Sequence, residues 1–241
     1  EYLAEKTKSE MKIPLPICNV AGGWKEKNIQ EFLLFPVHQE SFADSISKIA
    51  NAYRKFGVIL KEEDRNFIYG RNLESGWSTQ IHFERILALL KKVAGNDLLR
   101  IGIDVAASQL WNGSAYVYNN GEKLSSHEQI GFIENLVRKY PISYVEDPFH
   151  EDDFLSFSVL TQRLNPKIVC GDDLYATDTN RLIFGAERKA TSAIIIKPNQ
   201  VGTLTETLGV VAVAKQAGLK IIVSHRSGET NDDFIADFAV G

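Results

Sequence analysis

Five short apolar runs, each closing on an ionisable residue, constrain this chain more than any other feature. Ile101-Gly102-Ile103 ends at Asp104 and Ile142-Ser143-Tyr144-Val145 at Glu146. Lys167-Ile168-Val169-Cys170 passes through Gly171 to Asp172, Ala193-Ile194-Ile195-Ile196 ends at Lys197, and Lys220-Ile221-Ile222-Val223 meets Ser224-His225-Arg226. Between them lie helical spacings, as in Ile130, Ile133, Val137 and Tyr140, and in Leu204, Leu208, Val211 and Ala214. From Glu146 onward each interval has the length of one strand and one crossover helix. Continuous apolar runs alternating with amphipathic helices mean a parallel sheet covered by helices, and so the α/β class. A doubly wound sheet gathers its site at one switch point, whereas a closed barrel collects residues from many strand exits around one mouth. Five charged exits therefore predict a TIM-type (β/α)8 barrel. No glycine-rich dinucleotide fingerprint and no phosphate loop of the nucleotide triphosphatase type is present, which removes the main doubly wound functions.

The first part of the chain is less regular. Ile17-Cys18-Asn19-Val20 before Gly22-Gly23, and Phe32-Leu33-Leu34-Phe35 before Pro36, read as strands, with Glu31 at the entrance of the second. Phe42, Ile46, Ile49, Tyr53 and Phe56 predict one helix face, with Gly57 as its C-cap, and a second helix runs from about His82 to Ala94, followed by Gly95-Asn96. Between them Gly70-Arg71-Asn72-Leu73-Glu74-Ser75-Gly76-Trp77 reads as a shaped loop that leaves Glu74 partly desolvated. Ala115-Tyr116-Val117-Tyr118 is one more candidate strand. Locally, Glu31 and Glu74 are each either solvated carboxylates or functional ones.

A chain of 241 residues, 44% hydrophobic, buries a sizeable core, and a net charge of -4 with mixed signs supplies no basic face for nucleic acid or an anionic membrane. Cys18 and Cys170 lie far apart in apolar runs and read as buried free thiols of a reducing compartment. With no signal-peptide core and no run near the ~20 apolar residues of a membrane span, the chain reads as cytoplasmic. It starts on Glu1 and stops within a helical pattern, and so reads as a piece of something longer.

If the exits converge, Asp104, Glu146 and Asp172 form a cluster of anions that needs a cation. A hard-oxygen donor set without His or Cys suits Mg²⁺ rather than Zn²⁺. Lys197, approached through an isoleucine run, is a candidate general base. Ser224-His225-Arg226-Ser227-Gly228-Glu229-Thr230 suits a phosphate or carboxylate near the start of a helix, or forms an ordinary strand-to-helix turn with a surface Arg. Each exit residue taken singly also fits a turn or a cap. Together they fit abstraction of a proton alpha to a carboxylate, where a cation stabilises the growing charge.

These residues resemble the enolase (phosphopyruvate hydratase) family. The resemblance is carried by the 224–230 heptad, Asp104-Val105-Ala106-Ala107-Ser108, Val145-Glu146-Asp147-Pro148, Gly171-Asp172-Asp173-Leu174 and Lys197-Pro198-Asn199-Gln200-Val201-Gly202-Thr203. It is dense over residues 101–241 and thinner back to Asn19-Val20 and Gln30-Glu31-Phe32. It implies the family's C-terminal barrel, with an antiparallel second strand, over residues 1–241. It further implies a Mg²⁺-dependent dehydration of 2-phosphoglycerate to phosphoenolpyruvate in a homodimer or higher homo-oligomer. By the same resemblance, Asp104, Glu146 and Asp172 are the magnesium ligands, Lys197 the base at C2, and Glu74 the acid at the C3 hydroxyl. The implied substrate-binding residues are Glu31, Glu146, Asp172, Ser224, His225, Arg226 and Ser227, of which Arg226 and Ser227 hold the phosphate. The sequence departs from the family where Trp24-Lys25-Glu26-Lys27 replaces a His-bearing loop, and where Asn72-Leu73-Glu74-Ser75-Gly76 keeps only Glu and the last Gly of Gly-Asp-Glu-Gly-Gly. Two other readings are an enzyme of the same superfamily acting on another carboxylic acid and a binding relative with weakened turnover.

Overall fold

The computed structural model describes residues 1–22, 28–38, 41–95 and 98–241. The loop at Gly23 to Lys27, where the sequence departs from the resemblance, lies outside the described residues, as does Asn96. The chain divides into two compact units, Leu15–His150 and a second made of Glu1–Pro14 with Glu151–Gly241. Helix α1 (Tyr2–Thr7) opens the second unit.

The Leu15–His150 unit contains β1 (Cys18–Gly22), β2 (Glu31–Pro36), α2 (Phe42–Glu63), α3 (Phe83–Ala94), β3 (Leu99–Asp104), β4 (Tyr116–Val117), β5 (Lys123–Leu124), α4 (Ser126–Lys139) and β6 (Ile142–Glu146). β2 runs antiparallel to both β1 and β3, and β3 runs parallel to β6. Strands β1, β3 and β6 thus share one direction and the second strand alone is reversed. That reversal places the entrance of β2 beside the exits of its neighbours. Glu31 is paired with Gly22 on one side and Asp104 on the other, and Asp104 is paired with Glu146. The candidate strand at residues 115–118 forms a small antiparallel pair, β4 with β5, outside this sheet.

Ser41 caps α2 by accepting from the Asp44 N–H at 3.1 Å, and a reciprocal capping box of Ser125 and Glu128 starts α4. The buried side of α2 is Ser45, Ile49, Ala52, Phe56, Gly57 and Leu60, while Phe42 and Ile46 are exposed. The face is therefore rotated from the one expected, and the helix runs through Gly57 instead of stopping there. The reason is close packing: a Cβ on Gly57 would lie 2.9 Å from two carbons of the Trp77 indole. Gly57→Val should lower the urea midpoint, overpacking a rigid ring costing about 1–3 kcal/mol. Valine is chosen because alanine would gain about 1 kcal/mol of helix propensity and mask the clash. An unchanged midpoint would show that the indole moves aside.

In the second unit follow α5 (Phe154–Leu164), β7 (Ile168–Gly171), α6 (Thr179–Glu187), β8 (Ala193–Ile196), α7 (Pro198–Val201), α8 (Leu204–Gln216), β9 (Lys220–Val223) and α9 (Phe234–Val240). β7, β8 and β9 are parallel, with Ile196 paired to Val223. β8 is buried throughout, as its Ala-Ile-Ile-Ile run requires, but β9 is only half-buried because β8 is its sole strand partner among the described residues. The final helix starts at Phe234, with Asp233 at its N-cap position. Gly228 at φ +73° and a turn from the Glu229 N–H to the Arg226 carbonyl keep the heptad non-helical.

Cys170 is fully buried and Cys18 half-buried, its thiol pushed up by desolvation, and neither forms a disulfide. Among the described residues no helix is long and apolar enough to cross a membrane.

Candidate active site

Two carboxylates end adjacent strands of the Leu15–His150 unit. Asp104 and Glu146 are 6% and 8% exposed and occupy directly paired positions. The Asp104 Oδ1 accepts from the Ala106 N–H at 2.9 Å, and Ala106 turns through φ +46° to allow it. Glu146 Oε2 accepts from the Tyr144 hydroxyl at 2.6 Å, two residues earlier on the same strand face. Backbone bonds fix the rim: the Gln30 N–H donates to the Asp104 carbonyl at 2.9 Å and the Val105 N–H to the Glu146 carbonyl at 3.0 Å. Asp147 is a buried turn residue whose carbonyl accepts from Ala107. The two carboxylates stand at paired positions of neighbouring strands, where a cation would offset their like charges.

Glu74 stands near the tip of a tight hairpin between α2 and α3. Arg71 bridges to Trp77, the Asn72 N–H donates to the Gly76 carbonyl at 2.9 Å, and the Asn72 side-chain oxygen accepts from the N–H groups of Glu74 and Gly76. Ser75 takes φ +64° at the turn. The hairpin is docked on β1 by Trp77 N–H to Val20 carbonyl at 3.0 Å and Gly22 N–H to Trp77 carbonyl at 3.2 Å. Its anchor, Trp77, stacks on Tyr53 with centroids 4.4 Å apart, meets Phe67 and Tyr69 edge-on, and carries the Arg71 guanidinium 5.0 Å over its ring. Glu74 is half-buried, so of the two local readings the partly desolvated carboxylate holds and not the fully solvated one. Asn19 Nδ2 donates to its Oε2 at 3.0 Å.

The second unit carries Asp172, Lys197 and the 224–227 segment. Asp172 follows β7 and Lys197 follows β8, and the Lys197 Nζ and Asp172 Oδ2 are in direct contact, with side-chain exposures of 15% and 13%. Thr177 Oγ1 accepts from the Lys197 N–H at 3.0 Å and donates to Gln200 Oε1 at 3.0 Å, setting the backbone where the lysine leaves the strand. Partial desolvation and the Asp172 charge push the Asp173 carboxyl above its usual range, while Lys197 and Arg226 act against them. The Ser224 N–H donates to the Ile196 carbonyl at 3.0 Å, seating the heptad beside Lys197. Glu229 then clamps it: Oε2 accepts from the Arg226 N–H at 2.8 Å and Oε1 from Asn199 Nδ2 at 2.7 Å. His225, Arg226 and Ser227 are exposed.

Each unit thus gathers its own share of the expected residues, Glu31, Glu74, Asp104 and Glu146 in one and Asp172, Lys197 and residues 224–227 in the other. Residues 10–241 match the family model of Enolase, C-terminal TIM barrel domain. The chain belongs to the enolase family. It is 38% identical over 242 residues to the enolase of Pyrobaculum aerophilum, 39% over 238 to that of Sulfurisphaera tokodaii and 38% over 239 to that of Archaeoglobus fulgidus. Each match covers 95% of this chain but 57–59% of the relative's length. The enolase barrel accounts for the α/β class and the reversed second strand seen in β2.

Several partners within this enolase domain escaped sequence reading. Asn19, Tyr144, Thr177, Asn199 and Glu229 act through one or two hydrogen bonds each, to residues far away or two or three positions off. Only the i,i+2 spacing of Tyr144 and Glu146 on one strand carried a readable signal.

Proposed function

We propose that residues 1–241 are the catalytic barrel of an enolase that dehydrates 2-phosphoglycerate to phosphoenolpyruvate. The observation that carries this reading is the in-register pairing of two buried carboxylates, Asp104 and Glu146, at strand exits within an enolase-family chain. The donor set is all oxygen and fits a hard divalent cation, so Asp104, Glu146 and Asp172 would hold Mg²⁺. When bound, Mg²⁺ supplies positive charge against the charge that builds on the substrate carboxylate. Lys197 takes the proton from C2, and the electron pair left behind spreads into the carboxylate as an enediolate. Glu74 gives a proton to the C3 hydroxyl, which leaves as water while the C2–C3 double bond forms. Arg226 and Ser227 hold the phosphate, Glu31 and His225 line the substrate pocket, and Ser224 is a further substrate-binding residue. The enzyme is proposed to be cytoplasmic and homo-oligomeric.

The test is Mg²⁺-dependent growth of ultraviolet absorbance from 2-phosphoglycerate by the full-length gene product. Absence of growth at saturating Mg²⁺ would overturn the reading. Asp172→Asn should weaken Mg²⁺ binding at least about tenfold, because one anionic ligand is lost from a hard-oxygen site. Calorimetry with unchanged affinity would remove Asp172 from the metal ligands.

A further inference from the structure

Asn19 occupies an unusual place. β1 and β2 slip in register between Asn19 and Ala21: Asn19 is paired with Leu33 and Ala21 with Phe32, so Val20 is the extra residue of a bulge. Bulges bend a strand and re-aim its side chains, and they recur beside functional sites. Here the bulge carbonyl of Val20 receives the Trp77 N–H, tying the Glu74 hairpin to the same point. The Asn19 amide uses Nδ2 to donate to Glu74 Oε2 at 3.0 Å. Its Oδ1 is buried and has no hydrogen-bond partner among the described residues. It is pressed against Gly76, where any Cβ would lie 2.7 Å from that oxygen. A buried acceptor left unmatched is rare and opposes stability. Leucine has nearly the same shape and would not carry that penalty, so packing alone does not account for an amide here.

We infer that Asn19 is a positioning residue for Glu74, its amide holding the carboxylate in place for proton delivery to the leaving hydroxyl. The inference rests on the reading of Glu74 as the acid. Asn19 touches neither substrate nor the reacting atoms in this role and acts only through Glu74. Stability and activity should therefore respond to its removal in opposite senses, which a merely structural hydrogen bond would not produce.

The experiment uses the full-length protein with Asn19→Leu, and Asn19→Ala repeats it with a smaller side chain. The melting temperature of the leucine variant should stay level or rise. The dehydration kcat should fall about 10–100-fold, the scale seen when a partner that orients a functional group is removed. KM and exchange of the C2 proton with solvent deuterium should be retained, because Lys197 is untouched. A crystal structure of the variant should show the Glu74 carboxylate displaced. A carboxylate that keeps its place, an unchanged dehydration rate, or a joint loss of exchange, dehydration and melting temperature would each overturn the inference. A parent protein that fails to dehydrate 2-phosphoglycerate overturns the proposed function instead. The displaced carboxylate, read without substrate, then still decides whether Asn19 positions Glu74.

Discussion

Lys197→Ala in the full-length protein is expected to abolish exchange of the C2 proton of 2-phosphoglycerate with solvent deuterium, while Glu74→Gln preserves that exchange and stops dehydration. The two outcomes differ because the proposed roles act on different bonds. Without the amine at the exit of β8 no proton leaves C2 and no enediolate forms. Without the carboxylic acid the enediolate still forms and collapses back, so label enters C2 but water does not depart. General acid or base groups each contribute about 10²–10⁴-fold, so both losses lie far outside experimental scatter. Exchange is followed by mass spectrometry of recovered substrate and dehydration by absorbance. Loss of exchange in both variants, with folding and Mg²⁺ binding intact, would sink the division of labour.

The second large effect is on stability. Trp77 is 6% exposed, stacked on Tyr53, and donates from Nε1 to the Tyr53 carbonyl at 2.9 Å. Tyr53 in turn donates from its hydroxyl to the Ser75 carbonyl at 2.7 Å, one residue from Glu74. Trp77→Ala removes a ring held on three sides and should destabilise the protein by about 3–5 kcal/mol. Trp77→Phe keeps much of the apolar contact but leaves the Tyr53 carbonyl without that donor, a cost of about 1–3 kcal/mol. Urea unfolding should rank parent, Phe and Ala in that order. Equal midpoints for all three would mean that the aromatic cluster does not anchor the hairpin.

Much of this architecture was legible because strand exits are a strong periodic signal. Asp104, Glu146, Asp172 and Lys197 each follow an apolar run, and all four stand at the exits expected of them. Helix α6 was legible only from the length of its interval, because of its residues Thr179 to Glu187 only Leu182 and Gly185 are buried, too few to set up a period. The face of α2 was misplaced because Ser45 and Ala52 pack inward while Phe42 and Ile46 do not, and hydropathy alone ranks those pairs the other way. Gly57 read as a stop because conformational freedom and lack of a side chain look identical in a sequence; only the indole across from it tells them apart. Glu31 read as a carboxylate at a strand entrance, and its meaning came from a reversed β2, which apolar patterning does not encode. The Asn19 to Glu74 bond joins residues 55 apart, and no local rule reaches that far.

The clamp made by Glu229 bears on how the heptad meets an anion. One carboxylate spans the backbone of Arg226 and the side chain of Asn199, the latter two residues beyond Lys197. Exposed loops ordinarily lose conformational entropy at the moment a ligand arrives, and that loss is subtracted from affinity. With Glu229 in place, the ordering of residues 224–229 is met when the chain folds, so under the proposed function a phosphate would find donors already fixed relative to the lysine. On that reading the same two hydrogen bonds would serve both affinity and alignment, on a segment whose side chains otherwise stand in water.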